Sequence, residues 1–144
     1  NDEIRITSSG KSSNIDYILN IHNKSSTYWS PFSPNQWICF EFRKHKIVPS
    51  NYTIKSYSYG VGGCHLKSWV LEGSNDQNIW TNIDEQNNCS ILNTAFGVHT
   101  FSIGKKSNLE KDGYKYIRIR QTSRNWHDDD RLVLTSMELY GKII

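Results

Sequence analysis

The chain has 144 residues, of which 36% are hydrophobic and 12% aromatic. This length suits one domain with a real hydrophobic core, and five Trp and eight Tyr beside only nine Gly exclude collagen-like and disordered classes. The 17 basic and 14 acidic residues are mixed along the chain, and a net charge of +3 is too small for a nucleic-acid-binding footprint. We therefore predict a single soluble domain over residues 1–144 that does not bind nucleic acid.

Short runs rich in aromatic and β-branched residues recur between clusters of Gly, Pro, Asn, Asp and Ser, a pattern typical of β-strands. Only residues 14–21 offer a helical pattern, and they would form two turns at most. Antiparallel strands without crossover helices predict a β-sandwich or a barrel. The predicted strands are 3–9, 36–42, 52–59, 66–74, 97–103, 114–122 and 132–141.

Alternation with period two supports these strands. In the run KYIRIRQ, Ile117 and Ile119 share one face while Tyr116, Arg118 and Arg120 share the other. A strand with one buried side requires this arrangement, so we predict that the isoleucines point into the core.

The cysteines bear on the cellular compartment. Cys39, Cys64 and Cys89 form an odd set without a CxxC motif or a complete disulfide framework, which favours a reducing compartment. No run of 18 apolar residues predicts a membrane span, and a chain that begins with Asn1 is expected to be a module cut from a longer protein. We predict an intracellular parent protein, with an extracellular one left open.

Catalytic motifs are weak. Cys64 and His65 resemble a nucleophile and a base, but adjacent residues on an extended strand point to opposite faces and cannot form a dyad. The glycines of residues 60–63 lack the lysine and the following helix of a phosphate-binding loop, so they predict a turn between two strands. We expect no enzyme activity and no cofactor.

The most unusual stretch is RNWHDDDRL, residues 124–132. His127 and the three aspartates that follow it could supply hard metal ligands, yet the calcium-loop spacing is not met and flanking arginines can neutralise the acids. Trp126 offers a flat apolar surface between donors and acceptors, which suits ligand recognition as well as it suits a lid over the core. Similar aromatic clusters occur at residues 26–32 and 57–65, and the three loops together suggest a common site.

A family resemblance is carried by SSTYWSP, PNQWICFEFRKHKIVPSNYTIKSYS, HLKSWVLEGSNDQNIWTNIDEQNN, YKYIRIRQT and LTSMELYG, in that order. The chain resembles the discoidin, or coagulation factor 5/8 type C, family over residues 4–141, and it is most similar to the branch in protist, BTB-domain and ubiquitin-ligase proteins. The resemblance implies an all-β jelly-roll sandwich of about eight antiparallel strands with a galactose-binding-like fold. Trp69, Leu71 and Trp80 are then structural, and Trp37 would cover the same core from the opposite sheet.

The resemblance also implies a binding module whose ligand loops gather at one end of the sandwich. Residues 121–131 would lie at that end with 22–33 and 57–65, and Asn125 and His127 match the Asn-x-His pattern of the branch. Many members hold a structural calcium. Glu138 matches the glutamate that closes that site and is the one weak candidate here, but Asn20, His22 and Asn23 replace the expected acids, so calcium is not expected.

Two binding hypotheses follow. The first is a protein segment lying across Tyr57, Tyr59, Trp126 and the flanking arginines; the second is a galactose-type sugar, with Asn125 and His127 as hydroxyl partners. Phospholipid binding is a weaker alternative, because the acidic run beside Trp126 would be repelled by anionic lipid. The predicted ligand-binding residues are Trp29, Tyr57, Tyr59, His65, Arg124, Asn125, Trp126, His127 and Arg131.

Overall fold

The structure is a computed structural model that describes residues 3–10, 15–19, 26–106 and 108–144. Within these ranges eight strands have five or more residues and two have only two, which confirms the all-β prediction. One short 3-10 helix, Ile15–Tyr17, lies inside the predicted helical stretch. The strands are β1 Ile4–Ser8, β2 Tyr28–Trp29, β3 Trp37–Phe42, β4 Ile47–Lys55, β5 Trp69–Ser74, β6 Thr81–Gln86, β7 Val98–Ser102, β8 Tyr116–Gln121, β9 Val133–Leu134 and β10 Ser136–Ile143.

The strands form two principal antiparallel sheets. One has five strands in the order β1-β3-β8-β5-β6, and the other has three in the order β10-β4-β7; β2 and β9 pair as a separate two-stranded ladder. Because β2 precedes the first long loop and β9 precedes the last strand, this ladder ties two distant parts of the chain together. No helix among the described residues is long and apolar enough to cross a membrane.

The core lies between the two principal sheets. Ile117 and Ile119 are fully buried on the inner face of β8, as the alternation predicts, and Tyr116, Arg118 and Arg120 lie on the partly exposed face. Trp69 bridges the sheets: its indole Nε1 donates to the Tyr52 hydroxyl at 3.0 Å. Burial of such large side chains is the dominant stabilising contribution to the fold.

The structure corrects the predicted role of Trp37. This tryptophan lies on β3, in the same sheet as Trp69, so it does not cover the core from the opposite sheet. It is half-buried on the outer face, where the Arg118 guanidinium lies 5.9 Å from its ring and 3.8 Å from the ring of Trp80. Glu72 accepts hydrogen bonds from Arg118 and Arg120 at 3.0 and 2.9 Å, which explains why β5 is buried on both faces.

The predicted strand over 52–59 is displaced. The observed β4 begins at Ile47 and ends at Lys55, so Tyr57 and Tyr59 lie in the loop that follows it. Pro49 lies inside β4 although a proline cannot donate to a strand ladder. A β-bulge between Tyr140 and Gly141, opposite Pro49, accommodates the proline.

Candidate functional site

Three loops meet at the end of the sandwich where β4 and β8 end and β5 begins. We call them the first loop (residues 26–35), the second loop (56–68) and the third loop (122–132). The β2–β9 ladder holds the first loop against the third, and Ser30 extends it: its backbone N–H donates to the Leu132 carbonyl at 3.0 Å and its hydroxyl accepts from the Leu132 N–H at 2.7 Å. The predicted gathering of the three loops is therefore observed for the described residues.

A pocket of about 460 Å³ opens between these loops. Five of the predicted ligand-binding residues line it: Trp29, Tyr57, Tyr59, His127 and Arg131. The remaining lining comes from residues that the sequence did not single out as ligand contacts, namely Thr27, Ser58, Gly63 and Cys64.

Aromatic rings form one wall. The ring of Trp29 meets that of Tyr57 edge-on at a centroid distance of 5.1 Å, and Tyr57 stacks at 6.3 Å on Tyr59, which is 63% exposed. Tyr57 is buried, which raises the pKa of its hydroxyl, and its Oη accepts a hydrogen bond from the Cys64 N–H at 2.8 Å. Tyr57 is thus the fixed base of the wall, and Tyr59 is its free face.

Gly63 leaves room for the side chains of Tyr57 and Tyr59 to pack against the backbone of the second loop. A Cβ at this position would lie 2.8 Å from Tyr57 Oη and 3.0 Å from the Tyr59 side chain, closer than side chains tolerate. The sequence signal was present in the run YSYGVGGCH, where glycines follow two tyrosines. From the sequence, the glycines predict a turn but not this close approach of the tyrosine rings.

Arg131 forms the opposite wall. Its guanidinium carbon lies 4.9 Å from the ring centroid of Trp29 and 4.3 Å from that of Phe32, a cation–π sandwich that fixes the side chain. Nη2 donates to Asp129 Oδ2 at 2.9 Å and contacts the Cys64 sulfur at 3.3 Å. Because Asp129 already neutralises the guanidinium, Arg131 offers the pocket a rigid planar surface more than an unpaired charge.

His65 is not a pocket residue, and its predicted ligand-binding role is wrong. It is fully buried, and its Nε2 lies 2.9 Å from the carbonyl oxygens of both Tyr59 and Gly60. Since carbonyls only accept, Nε2 carries the hydrogen and donates to both. His65 therefore shapes the second loop from inside.

Cys64 and His65 do not form a dyad, but the reason is not strand geometry. The two residues lie in a loop, not on an extended strand, and each is engaged elsewhere: Cys64 contacts Asp129 and Arg131, while His65 bonds the loop carbonyls. Burial raises the pKa of the Cys64 thiol, which disfavours the nucleophilic thiolate.

Asn125 is likewise buried and does not face the pocket, so its predicted role as a hydroxyl partner is wrong. Its Nδ2 donates to Asp129 Oδ1 and to the Arg131 carbonyl, both at 2.9 Å, and its Oδ1 accepts from the backbone N–H of His127 at 2.9 Å and of Asp129 at 3.3 Å. One amide side chain thus adds four hydrogen bonds to the two backbone bonds that close the third loop, from the Asn125 N–H to the Asp129 carbonyl and from the Asp128 N–H to the Asn125 carbonyl. His127, held by this bond, reaches across to the second loop, where its Nδ1 lies 3.1 Å from the Gly62 carbonyl oxygen.

Trp126 and Arg124 lie outside the pocket lining. Trp126 is half-buried, its Nε1 donates to the Cys89 carbonyl at 2.9 Å, and the ammonium of Lys67 lies 4.7 Å from its ring centroid. Arg124 is exposed and faces Asp128 and Asp130 at 3.8 and 3.9 Å. Trp126 therefore holds the third loop against the segment that contains Cys89, and a peptide path across Trp126 stays a prediction that the pocket does not include.

The acidic run does not converge on a metal. Asp128 is exposed with φ at 59°, whereas Asp129 is bound by Asn125 and Arg131. Across the described ranges no group of three His, Cys, Asp or Glu side chains is placed to hold an ion. The weak calcium candidate Glu138 accepts a hydrogen bond from the Tyr140 hydroxyl at 2.7 Å; Asn20, His22 and Asn23 lie outside the described residues.

Asp129 gives the third loop a pH dependence. Burial opposes its charge, but hydrogen bonds from the Arg131 side chain and backbone and from Asn125 outweigh burial and hold the pKa of the carboxyl well below its usual range. A lowered pKa stabilises the folded protein above the unfolded pKa of about 4, and this stabilisation is lost progressively as the pH falls below that value.

We expect Asp129→Asn to lower the free energy of unfolding by about 1–2 kcal/mol at pH 7, because it removes charge-assisted bonds in a partly exposed site. Below about pH 4 the difference should shrink, since the wild-type carboxyl then loses its advantage over the amide. Urea unfolding of both proteins at pH 7 and pH 3 measures it. A difference that is the same at both pH values would contradict the ion pair's role.

The chain is similar to known proteins in sequence and in structure. No family model matches the sequence. The chain is 27% identical over 127 residues to E3 ubiquitin-protein ligase Ufd4 of Drosophila melanogaster, a match that covers 88% of the chain, and 27% identical over 99 residues to E3 ubiquitin-protein ligase hecd-1 of Caenorhabditis elegans. It spans about 4% of the length of each of these relatives.

Several of the solved structures that match are CBM32 modules. The CBM32-5 module of CpGH89 from Clostridium perfringens, in complex with GalNAc-β-1,3-galactose, superposes with a TM-score of 0.71 at 9% identity, covering 97% of this chain and 96% of that one. The CBM32-6 module of the same protein gives a TM-score of 0.69 at 19% identity, with 99% and 96% coverage. The CBM32 of AlyQ in complex with 4,5-unsaturated mannuronic acid gives 0.67 at 14% identity, with 94% and 93% coverage. The chain therefore has the galactose-binding-like β-sandwich fold, of the F5/8 type C kind, that CBM32 modules share, and the predicted resemblance is confirmed at the level of this fold.

Proposed function

We propose that the three-loop pocket is a recognition site and that the chain is a non-catalytic module that binds a protein segment there. The observation that carries this proposal is the pocket itself, which has a rigid aromatic wall and strongly exposed apolar side chains in the surrounding loops. Phe32, Tyr59 and Val61 are 69%, 63% and 77% exposed. Monomeric proteins seldom cluster large apolar side chains in this way unless the cluster is functional.

The chemistry of the pocket indicates what the segment offers. Trp29, Tyr57 and Tyr59 provide apolar area, while Arg131 contributes a plane whose charge Asp129 already balances. An aromatic or aliphatic side chain together with the adjoining peptide backbone would occupy a pocket of this size, and the exposed His127 ring would bond that backbone. Affinity would come from the buried anchor, as at other interfaces where a few central residues dominate.

The relatives support a peptide ligand. The curated relatives are E3 ubiquitin-protein ligases, and Cys39, Cys64 and Cys89 are all free thiols in the structure. Both features suit a module within a larger intracellular protein. We therefore propose that the chain, as a module of a larger intracellular protein, recognises protein segments.

A sugar is the second candidate, favoured by the two matching structures that hold sugars. The faces of Trp29 and Tyr59 suit a pyranose ring, and Thr27 and Ser58 line the pocket as hydroxyl partners. Asn125 cannot serve in this role because its amide is consumed within the third loop.

The test is selection from a random-peptide phage library on the whole chain, followed by titration of the enriched peptides. We expect Trp29→Ala and Tyr59→Ser to weaken these peptides roughly tenfold or more, as removal of an anchor contact does. Trp126→Phe, outside the pocket, is the control and should leave affinity unchanged. Tyr59→Ser is informative even if Trp29→Ala fails to fold, because Tyr59 is largely exposed.

Galactose and N-acetylgalactosamine are titrated in parallel with the same variants. Saturable sugar binding that Tyr59→Ser abolishes, with no peptide enriched, would replace the protein-segment proposal by the sugar one. Enriched peptides that bind Tyr59→Ser as tightly as wild type would refute the pocket as their site.

A further inference from the structure

A second pocket lies at the opposite end of the sandwich from the three loops. It is formed where β4 begins, where β10 ends and where the chain leaves β7, and its volume is about 570 Å³. It shares no residue with the three-loop pocket, so what it binds does not depend on the function proposed above.

The floor of this second pocket is apolar. Val48, Pro49, Ile103 and Leu109 supply it. The β-bulge at Gly141 brings the strands together here: a Cβ on this glycine would lie 2.2 Å from the Val48 carbonyl oxygen, so the close approach requires the glycine. The pocket is therefore built into the β4–β10 pairing.

The rim of the second pocket is basic. Lys105, Lys106, Lys111 and Lys142 surround the floor, against the single acid Glu110. The ammonium of Lys106 points toward β6, where its Nζ donates to the Ile83 carbonyl at 2.6 Å. Among the described residues, no ion pair within 4 Å involves Lys105, Lys111 or Lys142. Four lysines against one glutamate amount to an excess of three positive charges, which equals the net charge of the whole chain.

The basic character continues beyond the rim. A neighbouring shallow depression is lined by Arg43, Lys44, Lys46 and Lys115, and its lining holds no acidic side chain. The electrostatic potential of these two basic linings therefore attracts anions. At the three-loop end, in contrast, Arg124 and Arg131 are paired with aspartates.

We propose that the second pocket binds an acidic protein segment, with an aliphatic side chain of that segment on the apolar floor and its carboxylates among the lysines. A concave apolar floor distinguishes this ligand from a nucleic acid, whose phosphates would leave the floor empty. It also distinguishes it from a membrane, which needs protruding apolar side chains. Charge complementarity at the rim would set the rate of association and the specificity, and the floor would supply the anchor.

The test uses a fluorescein-labelled peptide with one leucine between two pairs of glutamates, and the same peptide with glycine in place of leucine. We expect the leucine peptide to bind more tightly than the glycine peptide, and Lys105→Glu/Lys111→Glu to weaken it roughly fivefold or more, because attraction becomes repulsion at the rim. Gly104→Leu should weaken binding of the leucine peptide but not of the glycine peptide. A Cβ at Gly104 meets no atom within 4 Å, so this variant adds bulk at the pocket without disturbing the fold.

Lys67→Glu, at the other end of the sandwich, is the matched control for the single reversal Lys105→Glu, because each changes the net charge by the same amount. The proposal is overturned if Lys105→Glu binds no more weakly than Lys67→Glu, or if leucine and glycine peptides bind alike. It is equally overturned if a single-stranded oligonucleotide or phosphatidylserine vesicles bind this end more tightly than the leucine peptide.

Discussion

Replacing Asn125 by alanine is expected to lower the free energy of unfolding by about 3 kcal/mol and to abolish peptide binding at the three-loop pocket. The buried amide makes four hydrogen bonds that order the third loop, and truncation would leave the backbone N–H groups of His127 and Asp129 without partners. His127 and Arg131 would then lose their positions at the pocket. Urea unfolding and titration of a selected peptide measure the two effects.

Two further variants serve as comparisons for Asn125→Ala. Asn125→Asp retains an acceptor but places a second carboxylate beside Asp129, so it should not restore stability. Asn87→Ala removes an exposed amide that bonds only Glu85 and should change stability by less than about 0.5 kcal/mol. If Asn125→Ala were as mild as Asn87→Ala, the third loop would not depend on its central amide.

Trp69→Ala is expected to cost about 4 kcal/mol, the largest loss in stability that we predict for a single substitution. Trp69 is fully buried, packs edge-on against Phe101 at 5.2 Å and donates to Tyr52, whose hydroxyl in turn donates to Asp84. Removing it opens a cavity between the sheets and leaves part of this polar chain unpaired. Thermal and urea unfolding measure the loss.

Trp80→Ala is the matched control. Trp80 lies on the outer face against Arg118, so its removal should cost about 1 kcal/mol, the contribution of one partly exposed cation–π contact. Equal losses for the two tryptophans would contradict the assignment of Trp69 to the core and Trp80 to the surface.

The sequence predicted the sheets better than the loops. Period-two alternation placed Ile117 and Ile119 inside because a strand's side chains must point to opposite faces. The same rule failed to predict burial of Glu72, since that burial depends on two arginines from another strand. A pairing across strands cannot be seen within the periodicity of one strand.

In the loops, the resemblance indicated which segments meet, but residue type alone did not show which side chains face outward. His65 and Asn125 carry the donors and acceptors that a ligand needs, and the folded loops use those same groups for their own backbone. Trp29 and Tyr59, in contrast, have flat apolar faces that no loop backbone consumes, and they line the pocket; their contact with a ligand stays a prediction. A polar side chain in a loop can thus bind a ligand or bond the loop's own backbone, and the sequence alone does not distinguish these two roles.

The most direct measurement for the proposed recognition site is a titration of the ¹⁵N-labelled chain with one peptide from the phage selection, followed by NMR. We predict that the largest shifts fall on the indole N–H of Trp29 and on the backbone amides of Tyr59, Gly63 and His127, which surround the three-loop pocket, while the indole of Trp126 moves little. Shifts centred on other residues, with the Trp29 indole unchanged, would contradict the assignment of the pocket as the binding site.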